Sequence, residues 1–318
     1  MDSTYVVGID VGGQTSKLGV VDARGTVLAQ TVIRTDTYSE VEPYIAELAE
    51  AVRKVIKESG TEGKVRGIGV GAPNGNYYTG TIENAPNLLW GRKKVEFAKL
   101  LSEAMDGLPV ALTNDANAAA VGEMTYGAAR GMKNFIMITL GTGVGSGIVI
   151  NGEVVYGHDG FAGELGHTSA VRNNGRTCGC GKTGCLETYA SATGVARTAR
   201  EWLELSDEPS VLRSLDSIAS KDVYEAAKDG DKLALKIFDF TGKILGRSFA
   251  DFIAFSSPEA IVLFGGLARA KEFLNDPIEE AMNANVLPLW RNKVKVVYSQ
   301  LKESDAAILG ASALAWEL

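Results

Sequence analysis

The feature that most limits the fold of this chain is a β pattern that occurs twice, about 130 residues apart. Near the start, Tyr5–Val11 predicts a strand, two glycines interrupt it, and two further strands follow at Leu18–Val21 and Val27–Ile33. The apolar segment Phe135–Leu140 is likewise followed by a glycine-rich interruption and two shorter strands. A unit repeated in this way predicts a duplicated architecture whose two halves face each other across a central cleft.

Helix and strand patterns alternate between and after these two units. Apolar residues at helical spacing predict helices at Glu40–Ser59 and Asn114–Tyr126, with a buried strand at Val65–Val70 between them. Further predicted elements are helices at Val95–Met105, Leu186–Leu203, Lys232–Phe255, Lys271–Asn285 and Asp305–Leu318, and strands at Val110–Leu112, Ile261–Phe264 and Lys295–Val297. This alternation predicts an α/β protein with mixed sheets in two lobes.

Charge and composition exclude several classes of protein. The 318 residues include 32 Lys and Arg against 39 Asp and Glu, a formal net charge of −7, which argues against bulk affinity for nucleic acid or an anionic membrane. The first four residues lack the basic and apolar regions of a signal peptide. The uncharged run Phe135–Gly152 is glycine-rich and too polar to span a membrane. We therefore expect neither a nucleic-acid nor a membrane partner.

Three glycine-containing loops follow predicted strands and suit phosphate or nucleotide binding. Glycine lets backbone N–H groups approach phosphate closely, and the acid at the end of the first strand is suited to Mg²⁺. Each loop taken singly also fits an ordinary tight turn, but three of them with an acid favour a site for a nucleotide. The candidate contacts are Asp10, Gly12, Gly13, Thr15, Lys17, Gly141, Thr142, Gly143, Gly265 and Gly266.

Two other nucleotide motifs are rejected. Gly181-Lys182-Thr183 resembles the end of a P-loop, but the position that must be glycine, five residues earlier, is Arg176. The run from Gly141 to Gly147 has glycine at every second position, and it lacks the strand–turn–helix context of a dinucleotide-binding fold.

Asn114 and Asp115 stand at the predicted start of a helix, directly after an apolar strand. A carboxylate in this position can accept a proton from a substrate hydroxyl while the helix N-terminus stabilises negative charge. A plain helix cap is the alternative. Other polar residues would suit a polyhydroxylated ligand if they converged on one pocket: Asn87, Glu164, His167 and Glu187.

The cysteines Cys178, Cys180 and Cys185 lie within eight residues of one another, and His167 precedes them by eleven. An odd, clustered set differs from the disulfide framework of a secreted protein and favours a cytoplasmic location. Three thiols and one imidazole suit a closed structural zinc site, whose ion would orient His167 and would not act as a Lewis acid. Three free cysteines, or a strained Cys178–Cys180 disulfide, remain alternatives.

Taken in order, these segments resemble the ROK family of repressors, open reading frames and sugar kinases, and within it the ATP-dependent glucokinases. The matching segments are residues 10–13, 85–88, 114–120, 140–145, 163–167, 178–187 and 265–266. The resemblance implies an actin-like, ribonuclease-H-like kinase of two lobes. Residues 1–113 and 304–318 would form the smaller lobe and residues 114–303 the larger one.

The resemblance also implies residue roles and partners. Asp115 would be the catalytic base, and the protein would be a homodimer that uses ATP with Mg²⁺. The sugar would be held by Asn87, Asn114, Asp115, Glu164, His167 and Glu187, and structural Zn²⁺ by His167, Cys178, Cys180 and Cys185.

Three departures from the family pattern concern the glycine loop and the sugar site. Gln14 follows the first two glycines, where the family usually has Thr-Lys or Thr-Asn, so the side chain that meets phosphate is open among residues 14–17. Asn74 stands where Gly is commoner, and Leu89 replaces a frequent Pro. Both of these lie beside predicted sugar contacts.

The leading interpretation is ATP-dependent phosphorylation of a hexose at its 6-hydroxyl, with glucose favoured. Kinases for N-acetylmannosamine, N-acetylglucosamine, fructose, mannose and allose use similar residues. A sugar-responsive repressor of this family would carry a winged-helix domain before the kinase-like part, and we expect none because Asp10 lies ten residues from the start. An actin-like or chaperone-like ATPase would need neither the sugar residues nor the zinc loop.

Overall fold

The computed structural model describes residues 4–318. Met1–Ser3, at the start where the sequence shows no signal peptide, lie outside the described residues. The strands are β1 (Tyr5–Val11), β2 (Thr15–Val21), β3 (Val27–Arg34), β4 (Val65–Gly71), β5 (Gly75–Asn76), β6 (Thr81–Ile82), β7 (Val110–Thr113), β8 (Phe135–Leu140), β9 (Val144–Ile150), β10 (Glu153–Val154), β11 (Ala260–Phe264) and β12 (Lys295–Tyr298).

The helices follow the predicted periodicity with two notable differences. They are α1 (Val41–Glu58), α2 (Phe97–Ala104), α3 (Asp115–Tyr126), α4 (Glu187–Ala190), α5 (Ala192–Leu205), α6 (Ser220–Lys228), α7 (Lys232–Ser256), α8 (Lys271–Asn285) and α9 (Glu303–Leu314). The single helix predicted at Leu186–Leu203 is two helices, because the Ser191 hydroxyl accepts the Gly194 N–H and starts α5 afresh. Helix α6 has no counterpart in the prediction; the Asp222 carboxylate accepts the Ala219 N–H at its start.

The described chain divides into two compact units. The first contains the chain up to Met132, together with Gly147–Gly163 and Gln300–Leu318; the second contains Lys133–Ser146 and Glu164–Ser299. The first unit has a five-stranded mixed sheet of order β3-β2-β1-β4-β7, antiparallel on the β2 side and parallel on the β4 side of β1. Helix α1 covers this sheet with a continuous apolar stripe, from Ile45 and Leu48 to Val52 and Val55.

The second unit repeats this arrangement of strands. β8 has β9 on one side and β11 on the other, and β12 lies beyond β11 in parallel. β9 continues past Ser146 into the first unit, where its last residues pair with β10 in antiparallel register. The duplicated β unit and the α/β class predicted from the sequence are therefore confirmed.

Helix α9 closes the first unit through very close backbone contacts. A Cβ atom added at Gly8 on β1 would collide with the Ile308 carbonyl oxygen, and one at Gly69 on β4 would collide with that of Ala311. On the other side of α9, a Cβ at Gly122 of α3 would lie 2.6 Å from the Gly310 Cα. These glycines let α9 pack tightly between β1, β4 and α3.

The largest buried cluster of the second unit lies around α7, whose Phe238, Leu245 and Phe249 pack with residues of β8, β11 and α8. Among residues 4–318, no helix combines the length and the apolarity that a membrane span requires.

Candidate active site

The first glycine loop is a tight turn between β1 and β2. Asp10 faces Lys17 across the two antiparallel strands, and the Gly12 N–H donates to the Thr15 carbonyl at 3.1 Å. A Cβ at Gly13 would lie 2.8 Å from the Asn87 carbonyl oxygen, so glycine is needed for this loop to approach the Asn87 segment. The structure thus brings Asp10 and the loop glycines together with Asn87.

Ser16 has a structural role in this loop. Its hydroxyl is buried and lies 2.7 Å from both the Thr35 hydroxyl and the Tyr44 hydroxyl. Thr15 is half-buried and Lys17 is exposed. Of the four side chains left open by the sequence, Ser16 is therefore committed to the core, whereas the exposed Gln14, together with Thr15 and Lys17, stays a candidate for phosphate.

Asp10 and Asp115 form an electrostatically coupled pair. Burial, followed by the negative charge of Asp115, raises the pKa of Asp10 to about 6, although Lys17 opposes this shift. Part of the surface of Asp115 is accessible to solvent. The surrounding protein nevertheless excludes much of the water from its carboxylate, and this burial raises the pKa of Asp115 as well. Both shifts make the carboxylates more basic, and two neighbouring basic carboxylates are suited to receiving a cation or a proton.

Replacing Asp10 by Asn should raise the stability of the chain at neutral pH in buffer without added divalent cation. Between the ordinary pKa of 3.8 and the folded value of about 6, the folded chain holds a proton that the unfolded chain has lost. The free energy of unfolding therefore falls as the pH rises through this window and stays lower above it. The amide avoids this penalty, which is on the order of 2 kcal/mol.

Denaturant unfolding of Asp10→Asn and wild type at pH 7.5 and at pH 3.5 measures the effect. We expect the variant to be more stable at the higher pH. The difference should become small at the lower pH, where Asp10 is protonated in the folded chain and mostly protonated in the unfolded chain. A variant that is less stable at pH 7.5 would contradict the electrostatic argument.

Asn114 and Asp115 have separate tasks at the start of α3. Asn114 is the N-cap, and its Oδ1 accepts the Asn117 N–H at 2.7 Å. Asp115 is the first residue of the helix, and its Oδ1 accepts the Ala116 N–H at 2.8 Å. Because Asn114 does the capping, a plain cap does not explain the carboxylate of Asp115.

Asn74 explains how this chain accommodates a departure from the family pattern. Its backbone has a φ of 52°, a left-handed conformation that Asn tolerates better than most residues other than Gly. Its side-chain amide donates to the carbonyls of Glu83 and Asn84, each at 3.0 Å. Asn74 therefore fixes the segment that leads to Asn87.

Trp90, which follows this segment, belongs to the core. Its ring stacks on Tyr44 and Phe97 with centroid distances of 5.0 Å and 5.7 Å. The residue is 6% exposed, so it is placed for packing and not for stacking on a ligand.

The second glycine loop, residues 141–143, is held by Glu187. One Glu187 oxygen accepts the Val144 N–H at 2.9 Å, and a Cβ at Gly143 would collide with that same oxygen. The hydroxyl of Thr193 donates to the Thr142 carbonyl at 2.8 Å. The sequence did not reveal this task of Glu187, because the two segments lie 43 residues apart.

The third glycine pair lies beside the second loop. Gly265 follows β11 with a φ of 104°, and a Cβ there would lie 2.6 Å from the carbonyl oxygen of Leu140, the residue before the loop. At Gly266 an added Cβ would meet open space. Within the second unit, the third glycine pair therefore lies directly beside the residue that precedes the second glycine loop.

Glu164 and His167 lie on one 3₁₀ turn, where residues three apart share a face. The Leu165 N–H donates to the Ser146 hydroxyl at 3.0 Å, and Gly166 packs so closely on the Val144 carbonyl that no side chain fits. This turn therefore rests on the strand that follows the second glycine loop, and it fixes the direction of the His167 ring.

His167, Cys178, Cys180 and Cys185 form a four-ligand cluster. Their ligand atoms lie within 4.8 Å of one another. The His167 Nδ1 is 3.7 Å from the Cys178 Sγ, and the sulfurs of Cys180 and Cys185 are also 3.7 Å apart. A tetrahedron with metal–sulfur bonds of about 2.3 Å has edges of about 3.8 Å, so the donor set and its spacing fit zinc.

The cysteines are free thiols, which removes the alternative of a Cys178–Cys180 disulfide. Burial is the main cause that raises the pKa of Cys185 to about 12. Binding of a divalent ion would have to displace this proton.

Arg176, which sequence reasoning used only to reject a P-loop, anchors the cysteine loop. Its guanidinium is buried, donates to Glu201 at 3.0 Å and to the Thr188 carbonyl at 2.8 Å, and lies 4.5 Å from the centroid of the Tyr189 ring. The Arg176 N–H donates to the Tyr189 hydroxyl. These contacts join the cysteine loop to α4 and α5, which start near Glu187.

Comparison with known proteins supplies the family. The profile described as ROK family matches residues 6–317. A curated protein of Halalkalibacterium halodurans named glucokinase is 38% identical over 315 residues, which cover 98% of this chain and 94% of that protein.

Two solved structures, a kinase and a transcriptional regulator, are similar to this chain over nearly its whole length. A ROK family glucokinase from Streptomyces griseus, in complex with glucose and AMPPNP, is 32% identical with a TM-score of 0.79, covering 99% of this chain and 100% of its own. A ROK family transcriptional regulator, a homologue of the E. coli MLC protein, is 28% identical with a TM-score of 0.88, covering 99% of this chain and 78% of its own.

Proposed function

This chain belongs to the ROK family, and from that premise we propose that it transfers the γ-phosphoryl group of ATP to the 6-hydroxyl of a hexose, with glucose as the favoured substrate. Similarity to glucokinases over nearly the whole chain supports this activity. The observation that carries the proposal is the position of Asp115. Its carboxylate begins α3, is not used as the cap, and lies near Asp10 of the glycine loop.

In this proposal, Asp115 accepts the proton of the sugar 6-hydroxyl as its oxygen attacks the γ-phosphorus. The first residue of a helix suits this role, because the N-terminal dipole stabilises the charged carboxylate. Asn87, Asn114, Glu164, His167 and Glu187 bind sugar hydroxyls. Since phosphoryl transfer depends mostly on positioning and charge stabilisation, these contacts set the direction of attack.

The glycine loops hold the nucleotide. Gly12 and Gly13, with Thr15 and Lys17, donate to phosphate oxygens, and Gly141, Thr142 and Gly143 do the same from the second unit. Gly265 and Gly266 lie against the adenosine. Mg²⁺, when bound, neutralises charge on the phosphates, and Asp10 would hold it directly or through water.

Zinc held by His167 and the three cysteines has a structural role in this proposal. Because the Nδ1 of His167 faces Cys178, the other ring nitrogen is left to bond a ligand. Homodimer formation and a cytoplasmic location belong to the same proposal. So does a functional division into two lobes at residues 113/114 and 303/304, which differs from the division of the two compact units.

An assay of ADP release across a panel of sugars tests the activity and the substrate together. We expect glucose to give the highest kcat/KM among glucose, mannose, fructose, allose, N-acetylglucosamine and N-acetylmannosamine, with glucose 6-phosphate as product. A higher kcat/KM with an N-acetylhexosamine would support the kinase activity but would overturn glucose as the favoured substrate. If no sugar in the panel stimulates ADP release, the proposed kinase activity is wrong.

A sugar-responsive regulator is the second candidate, because the regulator structure has the higher TM-score. The same assay distinguishes the two, since a regulator binds sugar without releasing ADP. The net charge of −7 gives this chain no general affinity for DNA, which favours the kinase.

A further inference from the structure

A cavity of about 380 Å³ in the first unit contains none of the residues assigned above to sugar, nucleotide or zinc. Its apolar part is formed by Val121 and Met124 of α3 and by Leu314 of α9. A volume of this size is within the range of small-molecule sites. The cavity is therefore a second place on the molecule where a small ligand could bind.

Three tyrosines form an aromatic corner of this cavity. The rings of Tyr77 and Tyr156 are parallel within 3°, with centroids 4.1 Å apart. The Tyr78 ring is inclined at 69° to both, at centroid distances of 6.1 Å and 6.0 Å. The Tyr78 hydroxyl donates to the Gly157 carbonyl at 2.8 Å, which fixes this ring. All three tyrosines line the cavity.

The charged side chains that line the cavity are all negative. Glu153 and Glu317 line the cavity, and the lining contains no Lys, Arg or His. Within residues 4–318, neither carboxylate takes part in an ion pair. Burial, followed by the charge of Glu317, raises the pKa of Tyr77, so this carboxylate acts directly on the aromatic corner.

We propose that this cavity binds a small organic cation, an alkylammonium group whose apolar stem packs on Val121, Met124 and Leu314. The ring faces attract a cation through their quadrupoles, and the two carboxylates balance its charge. A neutral ligand of the same shape would gain the apolar contact but neither electrostatic contribution. The proposal is independent of the phosphoryl transfer proposed above.

Ligand-observed NMR titration at low ionic strength, with n-butylammonium and its neutral isostere 1-butanol as probes, tests this site. We expect saturable binding of n-butylammonium in the millimolar range and at least about fivefold weaker binding of 1-butanol. Equal affinities for the two probes, or no saturable binding of n-butylammonium, would overturn the proposal.

Variants locate the binding. Glu317→Gln removes the charge at nearly constant shape and should weaken n-butylammonium binding about threefold to fivefold. Tyr78→Leu should weaken it similarly, because an apolar side chain without a π face replaces the ring. The matched control is Glu62→Gln, which removes one exposed carboxylate elsewhere in the same unit and should leave the affinity unchanged. Equal loss in Glu62→Gln would assign the binding to net charge and overturn the site.

Discussion

Asp115→Asn should lower the kcat for sugar phosphorylation by about 10²- to 10⁴-fold, the usual contribution of a positioned general base. The amide keeps the size of the side chain, and its oxygen can still accept the Ala116 N–H that Asp115 accepts at 2.8 Å. The amide cannot take the proton of the sugar hydroxyl. Because the Asn114 cap is untouched, we expect α3 and the fold to persist.

Steady-state kinetics with separate calorimetric measurement of sugar binding distinguishes loss of the base from loss of the site. Sugar affinity should stay within a few-fold of wild type while kcat collapses. Asp216→Asn, an exposed carboxylate in the second unit, is the matched control and should keep full activity. A kcat for Asp115→Asn close to the wild-type value would show that another group accepts the proton.

If the cluster of His167 and the three cysteines binds zinc as proposed, loss of the ion should lower thermal stability and sugar affinity together. In Cys180→Ser one ligand is removed from an exposed position, so little packing is lost with it. If the closed site contributes at least about 3 kcal/mol, the Tm should fall by about 5 °C or more. The KM for sugar should rise about tenfold or more, because the His167 ring loses the partner that fixes it.

Gly179→Ala is the control within the same loop, since a Cβ there would meet open space between two of the ligands. This variant should retain one zinc per chain and wild-type Tm and KM. Metal content, thermal unfolding and sugar kinetics are measured on both variants and on wild type treated with a strong chelator. Chelated protein that is free of metal and has an unchanged KM would refute the link between zinc and sugar.

Features set by neighbouring residues were predictable from the sequence. The spacing of His167 and the three cysteines was enough to predict the cluster that the structure contains, because short glycine-rich segments can wrap around one ion. Asn114 was predicted at the start of a helix, where its side chain now caps α3. The strands β1 and β8 were predicted with correct bounds, since buried β-branched residues and flanking glycines mark them.

Contacts between distant segments could not be predicted in this way. Arg176 forms an ion pair with Glu201, and Glu187 accepts the Val144 N–H. No local pattern in the sequence indicates either of these partners. The hairpin β5–β6 is too short to give a periodic signal in the sequence. Tyr77 follows β5 directly, so its contact with the distant Tyr156 could not be predicted either. The break at Ser191 was missed because the surrounding residues favour helix on both sides, and one hydroxyl decides the outcome.

The close packing of α9 against β1 and β4 has a consequence for the order in which parts of the chain fold during synthesis on the ribosome. Residues 133–146 and 164–299 supply the whole second unit, so it can collapse before the last segment emerges from the exit tunnel. β1 and β4 are made about 290 and 230 residues before α9, yet their glycine faces are covered only when α9 packs against them. During this interval the surfaces of β1 and β4 around Gly8 and Gly69 lack the helix that covers them in the folded chain.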